Sequence, residues 1–368
     1  MSELRAFVEV DLSAIAENIA TIKARTTTPV LAVVKADAYG HGLIPVAITA
    51  VDAGATWLGT ALLEEALQLR AAGIEVPVIA WLTPPGEDFE AALRNNIDLS
   101  VSSLHLLREI VEIGERIGIT PRLHFEVDTG MRRGGVLDEW DVFLESAVQL
   151  RDKYRLVGFW SHFARADEPS EPANKAQEEE FALRLNLLRN AGLNPEIIHF
   201  SNSAATLSRP TAHHTMVRLG IAMYGLSPDI YSMGDAAEYG LRPAMTIKAK
   251  LHLVKSAKAG DAVGYGGTQI LARDTKLGVV VMGYSDGLPR TTNQSAGVSF
   301  ASVKAPLVGR ISMDQCVVDL GPNSTAQSGD YVTVIGSDGY SIDDWAKASG
   351  TINYEIVTRI ASRVPRIY

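Results

Sequence analysis

Residues 29–42 read PVLAVVKADAYGHG. The first six are an unbroken apolar, valine-rich run, the signature of a strand buried on both faces of a parallel sheet. The run ends on Lys35. Small residues and two glycines follow, a stretch that lets backbone come close to a ligand. Working outward, similar β-rich runs recur at 56–60, 76–81, 97–101, 122–128, 156–160, 196–200 and 215–218. Helical periodicity fills the gaps at 62–72, 103–117, 138–152 and 173–191. With 30–34 as the first strand, eight strand-then-helix units fit in about 230 residues, the arithmetic of a (β/α)8 barrel. A doubly wound sheet is the competing α/β architecture. Its dinucleotide turn would read G-x-G-x-x-G, and here the turn is KADAYGHG, so the barrel is preferred.

From about residue 240 the pattern changes. MTIKAKLHLVKSA, LGVVVMGY, FASVKAPLVG, SMDQCVVDL and DYVTVIG alternate apolar and polar residues between Gly-, Asp- and Ser-rich turns, with one helical stretch at 342–349 and a mixed tail. This predicts a mostly antiparallel β domain. AFVEVDL near the N-terminus alternates too. The expected division is therefore 1–11 as a strand joining the β domain, 12–238 as the barrel and 239–368 as the C-terminal β domain. The 368 residues suit two domains, and 46% hydrophobic with 21% charged residues is the composition of a globular chain. A net charge of −9 and the lack of a Lys/Arg stripe argue against a nucleic-acid partner. No apolar run approaches a membrane span, and MSELRAFVEVD has no signal-like apolar core, so a cytoplasmic protein is expected. A single cysteine, Cys316, rules out an intramolecular disulfide and fits a reducing compartment.

A barrel presents its chemistry just beyond the C-terminal ends of its strands. Lys35, Asp128, Arg133, His162, Ser203 and Arg218 all fall there. The loops SNSAAT (201–206) and LGIAMYG (219–225) are small-residue turns able to present N–H groups to a phosphate, which in this fold often binds after strands seven and eight. A lysine at one strand end with a phosphate cup across the mouth points to an aldehyde cofactor held as a Schiff base, pyridoxal phosphate being the obvious candidate. Singly, each signal has a plain structural reading. A strand-end lysine is usually a solvated group, His162 alone would read as a core histidine, and Arg132–Arg133 alone as a surface pair. His213–His214 read as loop residues and Cys316 as core. No His or acid spacing suggests a metal site.

With those residues in place, the chain resembles the bacterial alanine racemases, fold-type III pyridoxal-phosphate enzymes. The likeness runs through AVVKADAYGHG (32–42), VDTGMRRGGV (127–136), SHFARADE (161–168), NSAA (202–205), VRLGIAMYG (217–225), VGYGGT (263–268), MGYSDGLPR (282–290), VGRISMDQ (308–315) and TINYEI (351–356). The resemblance implies an eight-stranded barrel and a C-terminal β domain. It implies that Lys35 holds the cofactor and acts as base on the D-face, and that Tyr265, supplied by the partner of a homodimer, is the opposite base. Arg218 would face the pyridine nitrogen, with His162 beside it. Tyr39, Ser203, Gly220, Ile221 and Tyr354 would form the phosphate cup. Arg133 and, from the partner, Met313 with Asp314 beside it would contact the substrate carboxylate. Tyr284, Arg290 and Arg310 would belong to the entrance corridor. The implied activity is interconversion of L- and D-alanine, with D-alanine going to peptidoglycan.

Inverting an α-carbon needs a proton removed on one face and delivered on the other, hence two bases. Isolated lysine and tyrosine side chains both titrate near pH 10, so one must be shifted for work at neutral pH. Three positions depart from the family. Glu126 stands where much of the family has a carbamylated lysine, and strand alternation puts it on the same face as Asp128; the expectation is that its carboxylate braces Arg133. Arg132 replaces a usually small residue. Arg165 either attracts carboxylates near the entrance or points to solvent. Rival readings are a broader racemase acting on serine, a fold-related decarboxylase and a non-catalytic cofactor carrier.

Overall fold

The computed structural model describes residues 4–368, and the chain divides into two compact units. One comprises Ser13–Ala38 and Leu43–Pro243. The other comprises Tyr39–Gly42, Ala244–Tyr368 and the N-terminal segment through Leu12. Residues 1–3 of the expected N-terminal strand segment lie outside the described residues; the strand itself, β1, is Ala6–Val10.

The first unit carries β2 (Val30–Val33), β3 (Trp57–Thr60), β4 (Val78–Ala80), β5 (Asp98–Val101), β6 (Arg122–Glu126), β7 (Arg155–Trp160), β8 (Ile197–His199) and β9 (Val217–Leu219). They pair in parallel in the order β8-β7-β6-β5-β4-β3-β2-β9, and a bridge between His199 and Met216 links the two ends. The result is the nearly closed parallel barrel expected from the strand-and-helix count. Every residue of β2, β3, β4 and β5 is buried. That is why β2 and β4 read as continuous apolar runs, whereas β5 (Asp98–Val101) alternates polar and apolar residues although all four are buried. Helices Leu63–Ala71, Leu104–Ile117, Trp140–Gln149 and Pro172–Asn190 occupy the expected windows. The second of these is capped by the Ser103 hydroxyl, which accepts from the Leu106 N–H, and ends on left-handed Gly118. Three further helices, Leu43–Asp52, Phe89–Arg94 and the short Ser203–Ser208, had no sequence expectation.

The second unit is built around β10 (Met245–Ala257), whose first seven residues alternate between buried and half-buried. Its first half pairs antiparallel with β1. The strands that follow are β11 (Ala262–Val263), β12 (Gln269–Ile270), β13 (Thr275–Val280), β14 (Gly297–Phe300), β15 (Val303–Pro306), β16 (Cys316–Asp319), β17 (Tyr331–Ile335) and β18 (Arg366–Ile367). The main sheet runs β15-β14-β17-β10-β1-β18, and β13 pairs both β10 and β16. A register shift between Leu251 and Leu253 marks where β10 turns from β1 toward β13. Helices Ile342–Ser349 and Asn353–Thr358 complete a mostly-β unit. Asp286, fully buried, binds both Arg5 (2.6 Å) and Arg363 (2.7 Å). Cys316 is buried in β16. Among the described residues no helix is long and apolar enough to cross a membrane.

Candidate active site

Lys35 follows β2 by two residues and opens a turn of unusual hand. Ala36, Asp37, Ala38 and Tyr39 have φ of 54°, 54°, 52° and 53°. Four consecutive L-residues in the left-handed region cost about 1–2 kcal/mol each, so the neighbours must hold the turn. Glu65 does so from the next helix: Oε1 accepts from the Ala36 N–H at 2.6 Å, and Oε2 accepts from Ala61 and Leu62 at 3.0 and 3.1 Å. The Asp37 carboxylate accepts from the Leu43 N–H at 2.8 Å.

The barrel unit brings Lys35, Glu126, Arg133, His162, Ser203, Arg218, Gly220 and Ile221 to the C-terminal side of its strands. Burial lowers the Lys35 amine below its usual value, and the Arg133 and Arg218 cations push the same way while Glu65 opposes them. Burial also lowers the Arg218 guanidinium, to about 9, so it remains cationic at neutral pH. His162 is held well below the usual imidazole range by burial and by Arg218, Arg133 and Lys35. It is therefore neutral. Arg218 Nη1 donates to His199 Nδ1 (3.1 Å) and to the His199 carbonyl (2.9 Å). Nη2 donates to the Ser161 and Phe200 carbonyls and to His162 Nδ1, at 2.9, 3.1 and 3.1 Å. All four Nη protons are thus engaged, which leaves the Nε–H as the donor for a ligand. Ser203 Oγ accepts from the Gly220 and Ala222 N–H groups at 2.9 and 3.3 Å, so the hydroxyl proton is free to donate outward.

Glu126, the last residue of β6, is raised to about 7 by burial, against the pull of Arg133 and Arg218. Its carboxylate oxygen lies 2.8 Å from where a Cβ on Gly134 would stand, so a larger residue there would displace the Glu126 carboxylate. The influence of Arg133 on it is electrostatic, without an ion pair within 4 Å among the described residues. Asp128 shapes the Arg133 loop by accepting from the Gly130 and Arg132 N–H groups at 2.8 and 3.2 Å. The Arg132 guanidinium stands 3.8 Å from the same carboxylate. Arg165 is paired with Glu168 (2.6 Å) and Glu171 (3.0 Å), with its side chain still exposed.

The other candidates lie in the β unit. Tyr39 is buried, which pushes its phenol well above the usual range; its ring centroid is 6.2 Å from that of half-buried Tyr354. Tyr265 sits between β11 and β12 and is 70% exposed, flanked by Gly264 (φ 73°) and Gly266 (φ 75°). Met313 is 55% exposed, and its carbonyl accepts from the Ser285 N–H and hydroxyl at 2.9 and 2.7 Å. Hydrogen bonds from Arg363 and Ser285 lower the Asp314 carboxyl from its usual value. Tyr284 is partly exposed beside Ser285. Arg290 and Arg310 line a polar cavity of about 460 Å³ with Gln269 and Gln294.

Sequence reasoning overlooked Glu65 and the polar interior behind Arg218, namely Asp98, His124 and His199. The available signal was the polar–apolar alternation of RLHFEVD (122–128) and of the adjacent DLSV (98–101), in a barrel whose first strand is an unbroken apolar run. The two halves of the chain match, in order, the alanine racemase N-terminal domain over residues 10–228 and the alanine racemase C-terminal domain over residues 244–368. An alanine racemase of Salinispora tropica is 46% identical, covering 99% of this chain and 98% of its own. The crystal structure of alanine racemase from the D-cycloserine producer Streptomyces lavendulae superposes with a TM-score of 0.97 at 42% identity, covering 100% of this chain and 98% of that one. The alanine racemase of Bartonella henselae, solved with covalently bound pyridoxal phosphate, gives 0.88 at 28% identity with full coverage of both. Barrel, β unit and full-length similarity agree, and the chain belongs to the alanine racemase family of isomerases.

Proposed function

We propose that the protein interconverts L- and D-alanine with pyridoxal phosphate by a two-base mechanism, as a cytoplasmic homodimer whose D-alanine serves peptidoglycan. The observation that carries this reading is the depressed Lys35 amine on the same barrel rim as cationic Arg218 and neutral His162. In this reading residues 12–238 bind the cofactor and residues 239–368 contribute Tyr265 and Met313 to the partner.

The residues suit the cofactor. The free Nε–H of Arg218 would meet the pyridine nitrogen, and Lys35 would hold the aldehyde carbon. The Ser203 hydroxyl would meet the phosphate with the Gly220 and Ile221 backbone, completed by Tyr39 and Tyr354. Bound there, pyridoxal phosphate supplies an electron-withdrawing ring that lowers the cost of removing the α-proton. Arg133 and the backbone of Met313 of the partner subunit hold the substrate carboxylate, with Asp314 beside it and Tyr284, Arg290 and Arg310 along the approach. Lys35 Nζ takes or returns the proton on one face, and Tyr265 of the partner subunit does so on the other. Arg218 offers a hydrogen bond and no readily transferred proton, which restrains electron withdrawal by the ring.

Circular dichroism of alanine solutions, followed from each enantiomer, tests the proposal. Lys35→Ala should abolish both directions, and Tyr265→Phe should lower the rate by about a thousandfold, since a positioned acid–base group is worth 10²–10⁴. Undiminished activity in Tyr265→Phe would remove the second base. Serine turned over with a comparable kcat/KM would replace alanine by a broader substrate class.

A further inference from the structure

Behind Arg218 a line of buried polar side chains runs down the barrel interior to its N-terminal end. Arg218 Nη1 stands 3.1 Å from His199 Nδ1, His199 Nε2 stands 3.0 Å from His124 Nδ1, and His124 Nε2 stands 3.1 Å from Asp98 Oδ2. Arg122, the first residue of β6, clamps that carboxylate in two places: Nε reaches Oδ1 at 2.6 Å and Nη2 reaches Oδ2 at 3.0 Å. Asp98, the first residue of β5, is 1% exposed, and both histidines are fully buried.

The ends of this line dictate its direction. Arginine can only donate and a carboxylate can only accept. His199 Nδ1 must then be bare, which puts the His199 proton on Nε2, where it donates to His124 Nδ1. His124 in turn carries its proton on Nε2 and donates it to Asp98. Burial and Arg218 hold His199 well below the usual imidazole range, in keeping with a neutral ring. The ring planes are fixed as well. Trp160 stacks on His199 (centroids 5.7 Å, 8° between planes) and lies 5.1 Å from the Arg218 guanidinium carbon, while Trp57 meets His124 edge-on at 5.4 Å. Space for His124 exists because residue 158 is glycine: a Cβ there would lie 2.0 Å from Nδ1.

We propose that Asp98 and His124 are positioning residues for the reaction. By setting the tautomer of His199, they present a bare Nδ1 that fixes Arg218 with its Nε–H turned to the ligand. The role rests on the racemase reading, because Arg218 is its beneficiary, but the tautomers do not. With the wrong tautomer two N–H groups would face each other in a dry interior, and Arg218 would lose an anchor.

Long-range ¹H–¹⁵N correlation spectra of ¹⁵N-histidine-labelled holoenzyme read the tautomers directly. Neutral Nε2–H rings are expected at 124 and 199. A proton on Nδ1 of His199, or on both its nitrogens, overturns the proposal. Kinetics supply the second arm. His124→Leu leaves the His199 Nε2–H without an acceptor and should lower kcat for alanine by about tenfold or more with KM within about threefold. His124→Gln can accept from His199 through its amide oxygen and donate to Asp98 through its nitrogen. It should keep His199 as Nε2–H and recover at least fivefold, roughly, of the leucine loss. Equal loss in both variants assigns the effect to packing and overturns the role. If His124→Leu does not fold, the tautomers in wild type and His124→Gln still decide. Expected tautomers in an enzyme that does not racemise alanine would remove the functional reading and leave the assigned orientation; reversed tautomers in an active racemase would do the opposite.

Discussion

Glu126 combines a site expectation with a measurable ionisation. Its carboxyl is raised to about 7 by burial, whereas an unfolded glutamate titrates near 4.3. Between those values the folded chain binds more protons than the unfolded one, so stability falls as pH rises from about 4 to about 7. Allowing for its partial exposure, the effect is on the order of 2 kcal/mol. Glu126→Gln removes the titration. Urea unfolding should find the variant equal to wild type near pH 4 and more stable near pH 8, while KM for alanine rises because the negative charge near Arg133 is lost. A parallel pH profile in both proteins, or an unchanged KM, would count against the assignment. The same scale holds a steric prediction. Gly158→Ala drives a methyl group into His124 Nδ1 and should cost about 1–3 kcal/mol by thermal unfolding.

The turn after β2 behaves as one device. Glu65 ties down its first left-handed residue, Ala36, and its charge also raises the Lys35 amine against burial and the two arginines. Glu65→Gln should loosen the turn and lower the Lys35 amine further. The rate at which a lysine-directed acylating reagent labels residue 35 in the cofactor-free protein should rise near pH 8; labelling no faster than wild type would argue that the charge is screened. Nothing in ADAY foretells the left-handed course, because alanine and tyrosine disfavour it and only the surrounding contacts impose it. Elsewhere the elements were legible. The strand windows fell within a residue or two of β2 through β9 because fully buried strands have few ways to be written. The helix Leu43–Asp52 escaped because LIPVAITAVD is apolar nearly all round and shows no 3.6-residue stripe. Lys35, His162, Ser203 and Arg218 were visible from their strand ends, and their family roles came from resemblance. Asp98, His124 and His199 were hidden because interior polar contacts between β5, β6 and β8 leave no mark of proximity in the sequence.

At the scale of the whole molecule the proposed active site needs two chains, and this can be measured without solving the dimer. Lys35→Ala and Tyr265→Ala proteins are each expected to be inactive. Unfolded together and refolded in equal amounts, half of the dimers should be mixed, each with one intact site, giving about a quarter of wild-type activity. No recovery would place Lys35 and Tyr265 in the same chain's site or in none. The strand arrangement has a further consequence, for synthesis on the ribosome. β1 is made before the barrel strands, yet Ala6 pairs with Ala249 and Val8 with Arg366. At 5–20 residues per second, AFVEV waits roughly 12–50 s for β10 to emerge. Its other neighbour, β18 (Arg366–Ile367), comes later still. A ribosome that stalls between β10 and β18 therefore holds a chain whose β1 has one sheet edge unsatisfied.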